Sequence, residues 1–253
     1  MKVVIIGSGN TATVLGRKII SSGHNILQVF GRNASAVQSL AAELGAEAKT
    51  QPEAIDRRAD IYILAVADQA LPDIHQWINL DKRLVVHTSA AVSKNVLSKI
   101  SMNYGVLYPL QTLRKEQTEI PPIPFLVDGN TADDLALIQD FAGTLSDKVQ
   151  VAGDDLRLRV HVAAVFVSNF TNHLYAVADD FCRKEDLDFK LLMPLIRETA
   201  GRLDRLTPAQ SQTGPAVRRD NITIQKHLAV LDAYPHLREL YETLTLSIQR
   251  SEK

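Results

Sequence analysis

Short apolar runs alternate with amphipathic segments through the first half of the sequence. The first run, residues 2–6, has no polar alternation, which is typical of a strand buried on both faces of a parallel sheet. Strands that alternate with helices at this spacing predict a doubly wound α/β sheet. The predicted strands are residues 2–6, 25–30, 61–66, 83–86, 105–108 and, more weakly, 125–127, and the predicted helices are residues 11–22, 34–44 and 69–77.

The pattern becomes purely helical after residues 147–153. One stretch from Asp154 to about Lys184 contains no glycine or proline, and Asp154 or Asp155 is suited to cap its start. A second helix either kinks or begins at Pro194, and further helices are predicted near residues 222–231 and 236–248. We therefore predict an α/β domain of residues 1–150 and an all-helical domain of residues 151–253.

The first predicted strand runs directly into a G-x-G-x-x-A motif, Gly7-Ser8-Gly9-Asn10-Thr11-Ala12. Gly7 permits a tight turn, Gly9 lets backbone approach a pyrophosphate, and Ala12 lets the helix pack close to the strand. The helix start offers free N–H groups and a partial positive charge to phosphates. In this strand–helix context the motif predicts a Rossmann-type dinucleotide site formed by these residues. The alternative is a tight turn in a sheet that binds something else.

The end of the second predicted strand indicates which dinucleotide is bound. NAD-binding proteins usually have an acidic residue there for the ribose 2′-hydroxyl. This sequence has Val29-Phe30-Gly31-Arg32-Asn33 instead. The guanidinium of Arg32 suits a 2′-phosphate, and Asn33 adds a further donor, so NADP is predicted. A solvated arginine at a helix start is the alternative.

Two further loops follow predicted strands, at the edge where α/β sheets bind ligands. Val66 and Ala67 are small enough to let the dinucleotide lie against backbone. Thr88 and Ser89 are predicted to meet its nicotinamide end. The neighbouring His87 is a candidate to polarise a carbonyl or relay a proton, or else simply hydrogen-bonds a neighbouring loop.

The long predicted helix is apolar nearly all round between residues 160 and 170, which is typical of a buried helix. His161, Ser168 and Asn172 form one narrow stripe on it, with Asn169 at the edge. Since buried polar groups are costly unless paired, the stripe is expected to face a wet cleft or a hydrogen-bonded interface. His161 and Asn169 are predicted to hold a substrate oxygen; a structural network between helices or subunits is the alternative.

Composition narrows the partners and the cellular compartment that the sequence allows. The net charge of -1 gives no strong global field toward nucleic acid or an anionic membrane. A single cysteine, Cys182, excludes an intramolecular disulfide and fits a reducing compartment. No apolar run approaches the roughly 18 residues of a membrane span, and the histidines lack metal-ligand spacing. We expect a cytoplasmic protein without a metal, a nucleic-acid partner or a membrane partner.

Several motifs occur in the order typical of one family. The chain resembles, along nearly its whole length, Rossmann-like NADP oxidoreductases with a DUF2520 C-terminal domain. It is more distantly similar to pyrroline-5-carboxylate reductase, ketopantoate reductase and the β-hydroxyacid dehydrogenases. The resemblance implies a cleft between the domains, a homodimer built through the helical domain, and reduction of a small oxo acid or cyclic imine. The motifs are the glycine turn, Gly31-Arg32-Asn33, His87-Thr88-Ser89, Tyr108-Pro109-Leu110-Gln111-Thr112, Ser168-Asn169-Phe170 and Thr213-Gly214-Pro215.

The main hypothesis is therefore an NADP-dependent reductase with its substrate between His87 and the polar stripe. The dehydrogenase relatives place a catalytic lysine four residues before an asparagine of the long helix. If Asn169 is that asparagine, the lysine position is Val165. This difference favours an alternative, an NADP(H)-responsive binding protein that performs no chemistry. An enzyme with another hydride carrier, such as a deazaflavin, is a third hypothesis.

Overall fold

The computed structural model describes residues 1–251, which form an eight-stranded sheet followed by a helical region. The strand order is β3-β2-β1-β4-β5-β6-β7-β8. All neighbouring strands are parallel except β6 and β7. The strands are β1 (Lys2–Ile6), β2 (Asn25–Phe30), β3 (Glu47–Lys49), β4 (Ile61–Leu64), β5 (Leu84–His87), β6 (Tyr104–Pro109), β7 (Phe125–Gly129) and β8 (Val149–Val151). The α-helices are α1 (Asn10–Ser21), α2 (Ala34–Leu44), α3 (Ala132–Leu145), α4 (Asp154–Ala164), α5 (Thr171–Lys184), α6 (Met193–Gly201), α7 (Pro208–Ser211), α8 (Asn221–Leu231) and α9 (Pro235–Ser251).

This strand order confirms the predicted doubly wound sheet followed by helices. The chain leaves β1 in one direction to build β2 and β3 and returns on the other side of β1 to build β4, β5 and β6. The point where the order reverses lies between β1 and β4, and ligands of such sheets bind at the carboxyl ends of the strands there. Because β1, β2, β4, β5 and β6 are all parallel, the loops that follow them share one edge.

Two apolar clusters cover the two faces of the sheet. Val3 and Ile5 of β1 belong to one cluster, together with residues of α1, α2 and α3. Val4 and Ile6 belong to the other, together with residues of the 3₁₀ helices on the opposite face. Successive residues of a strand point to opposite faces, so an unbroken apolar strand fits only between two covered faces. The sequence-based interpretation of β1 is therefore confirmed.

Several elements differ from the predicted ones. The segment predicted as a helix at residues 69–77 is a 3₁₀ helix, Asp68–Gln76, with Pro72 inside it. Proline removes a backbone donor and disfavours a regular α-helix at that point. Gly153 is the N-cap of α4, without a side-chain cap, so the predicted capping by Asp154 or Asp155 is wrong. The remaining 3₁₀ helices are Pro52–Ala54, Lys94–Lys99, Phe189–Leu192 and Arg202–Asp204, and helix α3 and the short strands β3 and β8 were not predicted.

The chain divides into two compact units, of which the first runs from Met1 to Asn169 and the second begins at Phe170. The long predicted helix consists of α4, a π-helical segment at Val165–Phe170, and α5. The unit boundary lies in that π-helical segment, later than the change of pattern near residue 150. The assignment of cofactor binding to residues 1–150, and of substrate binding and dimerisation to residues 151–253, stays a prediction.

The second unit buries few of its side chains. Among its described apolar residues, Cys182, Ala216, Ile224 and Leu228 are buried. Pro194 stands in the first turn of α6, so the second helix begins there and does not kink. None of the helices within residues 1–251 is long and apolar enough to cross a membrane.

Candidate functional site

A groove of about 610 Å³ lies at the carboxyl edge of the sheet, beside the point where the strand order reverses. Its walls come from the glycine turn, from the end of β2, and from the segment that follows β4. We call it the carboxyl-edge groove. Its lining residues are Ile6, Gly7, Ser8, Gly9, Phe30, Gly31, Arg32, Asn33, Ala65, Val66, Ala67, Gln69, Ala70, Asp73, Ile74 and Trp77.

The glycine turn has the backbone geometry that the motif predicts. Gly7 has a φ of +130°, and a Cβ there would collide with the carbonyl oxygen of Ala65. Its N–H donates to the carbonyl of Phe30 at 2.7 Å, which fixes the turn to the end of β2. At Gly9, by contrast, nothing lies within 4 Å of an added Cβ. The turn therefore leaves an open approach to its backbone at Gly9.

The start of α1 is suited to an anion. Gly9 is its N-cap, no side chain caps it, and its first turn contains no acidic residue. The first N–H groups of a helix have no partner within the helix and carry a partial positive charge. A phosphate group at this point would meet both the N–H groups and the helix dipole. The observed groove thus fits the pyrophosphate of a dinucleotide.

Arg32 and Asn33 line the groove at the end of β2. The side chain of Arg32 is exposed and forms no ion pair within residues 1–251. Asn33 is the N-cap of α2, and its Oδ1 accepts the N–H of Ala36 at 3.0 Å. Its side-chain N–H₂ group keeps both of its donors for a ligand. Both residues present donors where an NAD-binding sheet would place an acid.

The groove also contains residues that the sequence analysis missed. Trp77 packs against Phe30 with ring centroids 5.6 Å apart, and both rings line the groove. Asp73 contributes a carboxylate to the same wall. The chain has one tryptophan, so Trp77 is a natural spectroscopic reporter of this groove. No sequence motif pointed to either residue as part of a binding site. Both belong to the 3₁₀ region that was predicted as an ordinary helix.

The two predicted loops have different positions. Val66 and Ala67 line the groove, whereas Thr88 and Ser89 lie outside its described lining. The N–H and hydroxyl of Thr88 point to the carbonyl of Leu64, at 3.3 and 3.4 Å. Ser89 is buried, and its Oγ accepts the N–H groups of Ala91 and Val92 at 3.2 Å each. Ser89 thus organises the loop that it begins.

His87 is fully buried at the end of β5. Its Nδ1 accepts the N–H of Ser89 at 3.1 Å, so in the neutral ring the proton lies on Nε2. Burial, together with the positive charge of Arg157, lowers the pKa of His87 to about 4. The ring is therefore uncharged at neutral pH and is covered by protein. This geometry favours the alternative in which His87 holds the neighbouring loop.

Two residues of the polar stripe contact the segment that follows β6. The Nδ1 of His161 lies 3.0 Å from the hydroxyl of Tyr108, and the two rings meet edge to face. The Oγ of Ser168 lies 2.8 Å from Oγ1 of Thr112. These two members of the stripe are therefore hydrogen-bonded to a neighbouring segment, which agrees with one of the two expectations for the stripe. Asn169 is exposed at the edge of this contact.

The hydroxyl of Tyr108 is half-buried, which matters for its protonation. Burial raises the pKa of Tyr108, the positive charge of Arg157 opposes that rise, and the charge of Asp68 adds to it. The hydroxyl consequently keeps its proton at neutral pH. The Tyr108–His161 pair is thus a protonated hydroxyl hydrogen-bonded to an imidazole, at the carboxyl end of β6. Among residues 1–251, no group of three or more His, Cys, Asp or Glu side chains is arranged to hold a metal ion.

The fold and the groove together define a Rossmann-type dinucleotide-binding protein, and comparisons with known proteins identify its family. Residues 2–91 match the family described as "NADP oxidoreductase coenzyme F420-dependent", and residues 123–248 match the domain of unknown function DUF2520. A solved structure from Bacteroides fragilis, described as an NADP oxidoreductase, is 36% identical, with 98% of each chain covered and a TM-score of 0.91. The chain belongs to this family of NADP oxidoreductases with a DUF2520 domain.

More distant structures share the fold. A 1-pyrroline-5-carboxylate reductase from Streptococcus pyogenes is 14% identical, with 99% of this chain and 98% of that chain covered and a TM-score of 0.67. An imine reductase from Myxococcus stipitatus, solved in complex with NADP+, is 18% identical, with 99% of this chain and 93% of that chain covered and a TM-score of 0.62. No functionally curated protein matches the sequence. The predicted class, an NADP oxidoreductase, is confirmed at the level of the family.

Proposed function

We propose that the chain binds NADPH in the carboxyl-edge groove and reduces a small oxo acid or a cyclic imine. The observation that carries the proposal is the groove itself, with an uncapped helix start at one wall and Arg32 at another. The pyrophosphate would lie against the glycine turn, residues 7–12, and the 2′-phosphate against Arg32 and Asn33. Val66 and Ala67 would border the nucleotide along the segment that follows β4.

The chemistry of the proposal divides between cofactor and protein. When bound, the dinucleotide supplies a hydride to the substrate carbon. The protein would supply the proton, and we propose the Tyr108–His161 pair as its source because it is a hydrogen-bonded, half-exposed pair at the carboxyl end of β6. Tyr108 would give its hydroxyl proton to the substrate oxygen or nitrogen, and His161 would replace it through their 3.0 Å contact. Asn169, which is exposed next to Ser168, stays a predicted substrate-binding residue and would contact the substrate further along the helix.

His87 takes a supporting part in this proposal. Its ring is fully buried, so it is less suited to touch a substrate than the half-exposed His161. It would keep Thr88 and Ser89 at the nicotinamide end of the site through its bond to the Ser89 N–H. The predicted location of the substrate in a cleft between the two domains stays a prediction.

We also propose that the protein forms a homodimer through its helical unit. The described part of that unit buries few apolar residues, and Leu191, Ile222 and Leu195 are 75%, 74% and 59% exposed. Large contiguous apolar surface is rare on soluble monomers and is typical of oligomer interfaces. Support for a second copy as the occupant comes from the family resemblance.

The proposed cofactor site is tested by titrating the purified protein with NADPH and with NADH while following Trp77 fluorescence. We expect tighter binding of NADPH, because Arg32 contributes charge-assisted hydrogen bonds to the 2′-phosphate. Arg32→Ala should weaken NADPH binding by roughly 10- to 100-fold, given about 1.5–3 kcal/mol for such bonds. The same change should leave NADH binding nearly unaltered. Arg83→Ala, which removes an exposed arginine just before β5, is the matched control.

Turnover is tested separately, by following NADPH oxidation with 2-oxo acids and with five-membered cyclic imines. Oxidation that depends on Tyr108 and on His161 supports the reductase. NADPH and NADP⁺ bound with different affinities, but no oxidation with any substrate, would instead identify a binding protein that responds to redox state. Failure to bind either nicotinamide dinucleotide would contradict the proposal. Tight binding of a deazaflavin would then favour the third hypothesis, an enzyme with another hydride carrier. The family that matches residues 2–91 is described as coenzyme F420-dependent, so this hypothesis stays relevant.

A further inference from the structure

Helix α4 contains a fully buried arginine. Arg157 is 0% exposed, although its neighbours Leu156 and Leu158 are 42% and 45% exposed. Arginine is seldom fully buried unless its guanidinium is paired. The helix thus turns its charged side chain inward and its leucines outward, which requires specific partners for the guanidinium.

The partners of Arg157 lie in the loop that follows β5. Its Nε donates to the carbonyl of Ala90 at 3.1 Å, and its Nη2 donates to the carbonyl of Val92 at 2.6 Å. The same Nη2 also donates to Oδ1 of Asp154 at 2.8 Å, one turn earlier on α4. The planar guanidinium therefore bridges two carbonyls of one short segment and a carboxylate of its own helix.

Asp154 holds the far end of the same loop. Its Oδ1 accepts the N–H of Lys94 at 3.4 Å. Although burial raises it, hydrogen bonds from Ser93 and Arg157 leave the pKa of Asp154 below its ordinary value, so the carboxylate is ionised. Asp154 and Arg157, which we call the clamp, thus bind the loop through both its carbonyl and its N–H groups.

The clamped loop, residues 88–94, is the one predicted to meet the nicotinamide end of the cofactor. It begins with Thr88 and Ser89 at the carboxyl end of β5, one strand beyond β4 and on the same edge of the sheet as the groove. Ser89 accepts the N–H groups of Ala91 and Val92, so the loop is closed on itself and then fixed to α4 by the clamp. A loop held at this edge can present its backbone to a ligand without being ordered by it.

We propose that Arg157, with Asp154, is a positioning residue that holds loop 88–94 in place for the nicotinamide half of the dinucleotide. The proposal rests on the proposed function, because it assumes that NADPH is the ligand. The adenosine half would bind at Arg32 and the glycine turn, away from the clamp. Loss of the clamp should consequently weaken binding of the whole dinucleotide and spare binding of its adenosine half.

The test compares two ligands, NADPH and adenosine 2′,5′-bisphosphate, in wild type, Arg157→Met and Arg157→Lys. We expect Arg157→Met to weaken NADPH binding by roughly tenfold or more, and bisphosphate binding by less than about twofold. Arg157→Lys should fall between, since a lysine cannot bridge two carbonyls with one planar group. Arg159→Met removes an exposed arginine from the same helix and is the control.

A second readout needs no ligand. Hydrogen exchange of the Ala91 and Val92 amides should become roughly tenfold faster in Arg157→Met, because the loop opens more often. If Arg157→Met unfolds, Asp154→Asn keeps the arginine and weakens the clamp, and it should produce the same selective loss to a smaller degree.

If Arg157→Met weakened the binding of both ligands equally, the positioning role would be overturned and the cofactor assignment would stand. Unchanged NADPH binding together with unchanged hydrogen exchange would have the same consequence. Failure of the wild type to bind either ligand would overturn the cofactor assignment and, with it, this proposal.

Discussion

The glycine turn contains two glycines whose replacement by alanine should affect different properties, the stability of the fold at Gly7 and the binding of NADPH at Gly9. At Gly7 the φ of +130° is unfavourable for any residue with a Cβ. The added carbon would also lie 2.8 Å from the carbonyl carbon of Ala65. Backbone strain of about 1–3 kcal/mol and overpacking of about 1–3 kcal/mol together should lower the free energy of unfolding of Gly7→Ala by about 4 kcal/mol. This corresponds to a fall in Tm of roughly 10 °C for a chain of this size.

At Gly9 the φ is -88°, and no atom lies within 4 Å of an added Cβ. Gly9→Ala should therefore change the free energy of unfolding by less than about 0.5 kcal/mol. The methyl group would stand at the start of α1, where the pyrophosphate is proposed to approach backbone. Loss of one charge-assisted hydrogen bond there would weaken NADPH binding by roughly 10- to 100-fold.

Thermal unfolding followed by circular dichroism measures the first effect, and titration of Trp77 fluorescence with NADPH measures the second. The two variants make the same chemical change two residues apart, so each is the control for the other. A Gly7→Ala protein as stable as wild type would refute the steric argument. Undiminished NADPH binding by Gly9→Ala would refute the placement of the pyrophosphate at this turn.

Three further predictions concern stability and assembly. Burial lowers the pKa of His87 to about 4, below its ordinary value of 6.5. Its contribution to stability, up to roughly 3 kcal/mol, is therefore present above pH 6.5 and lost as the pH falls toward 4, and His87→Gln should flatten this part of the urea-denaturation profile. Lys94→Met should lower the free energy of unfolding by about 3 kcal/mol, also measured in urea, because it leaves the 11%-exposed carboxylate of Asp128 without its cation at 2.8 Å. Leu191→Glu should convert the proposed dimer to monomer in analytical ultracentrifugation, whereas Leu137→Glu on α3 should not; a wild type that is already monomeric would contradict the dimer.

The walls of the carboxyl-edge groove were predictable because their determinants are local. The glycine turn and the end of β2 occupy short continuous segments, and their backbone requirements restrict which residues can stand there. The two features meet because β1 and β2 are neighbouring parallel strands, which the apolar pattern indicated. Asn33 shows the limit of this reasoning, since its use as the N-cap of α2 depends on geometry that a residue name does not convey.

The contacts of Tyr108, His161 and Arg157 were less predictable because they join distant parts of the chain. Tyr108 meets His161 across 53 positions, and Arg157 meets the carbonyl of Ala90 across 67. Neither partner carries a pattern that points to the other. His87 shows the same difficulty, because a histidine at the end of a strand looks identical in sequence whether it is buried or open to a ligand.

The contacts of Arg157, His161 and Ser168 all come from one face of α4 and of the π-helical segment after it. Arg157, His161 and Ser168 share a face, so the predicted polar stripe extends one turn further back than its first predicted residue. Their partners lie in the segments that follow β5 and β6, and each contact fixes one of those segments to the helix. An adjacent face carries Leu158 and Val162, which are 45% and 51% exposed in the single chain. A polar face bound to loops and an apolar face left open invert the usual arrangement of a surface helix. If the second copy of the proposed homodimer also contacted this face of α4, it would cover these side chains, and the sequence pattern that predicted a buried helix would agree with the structure.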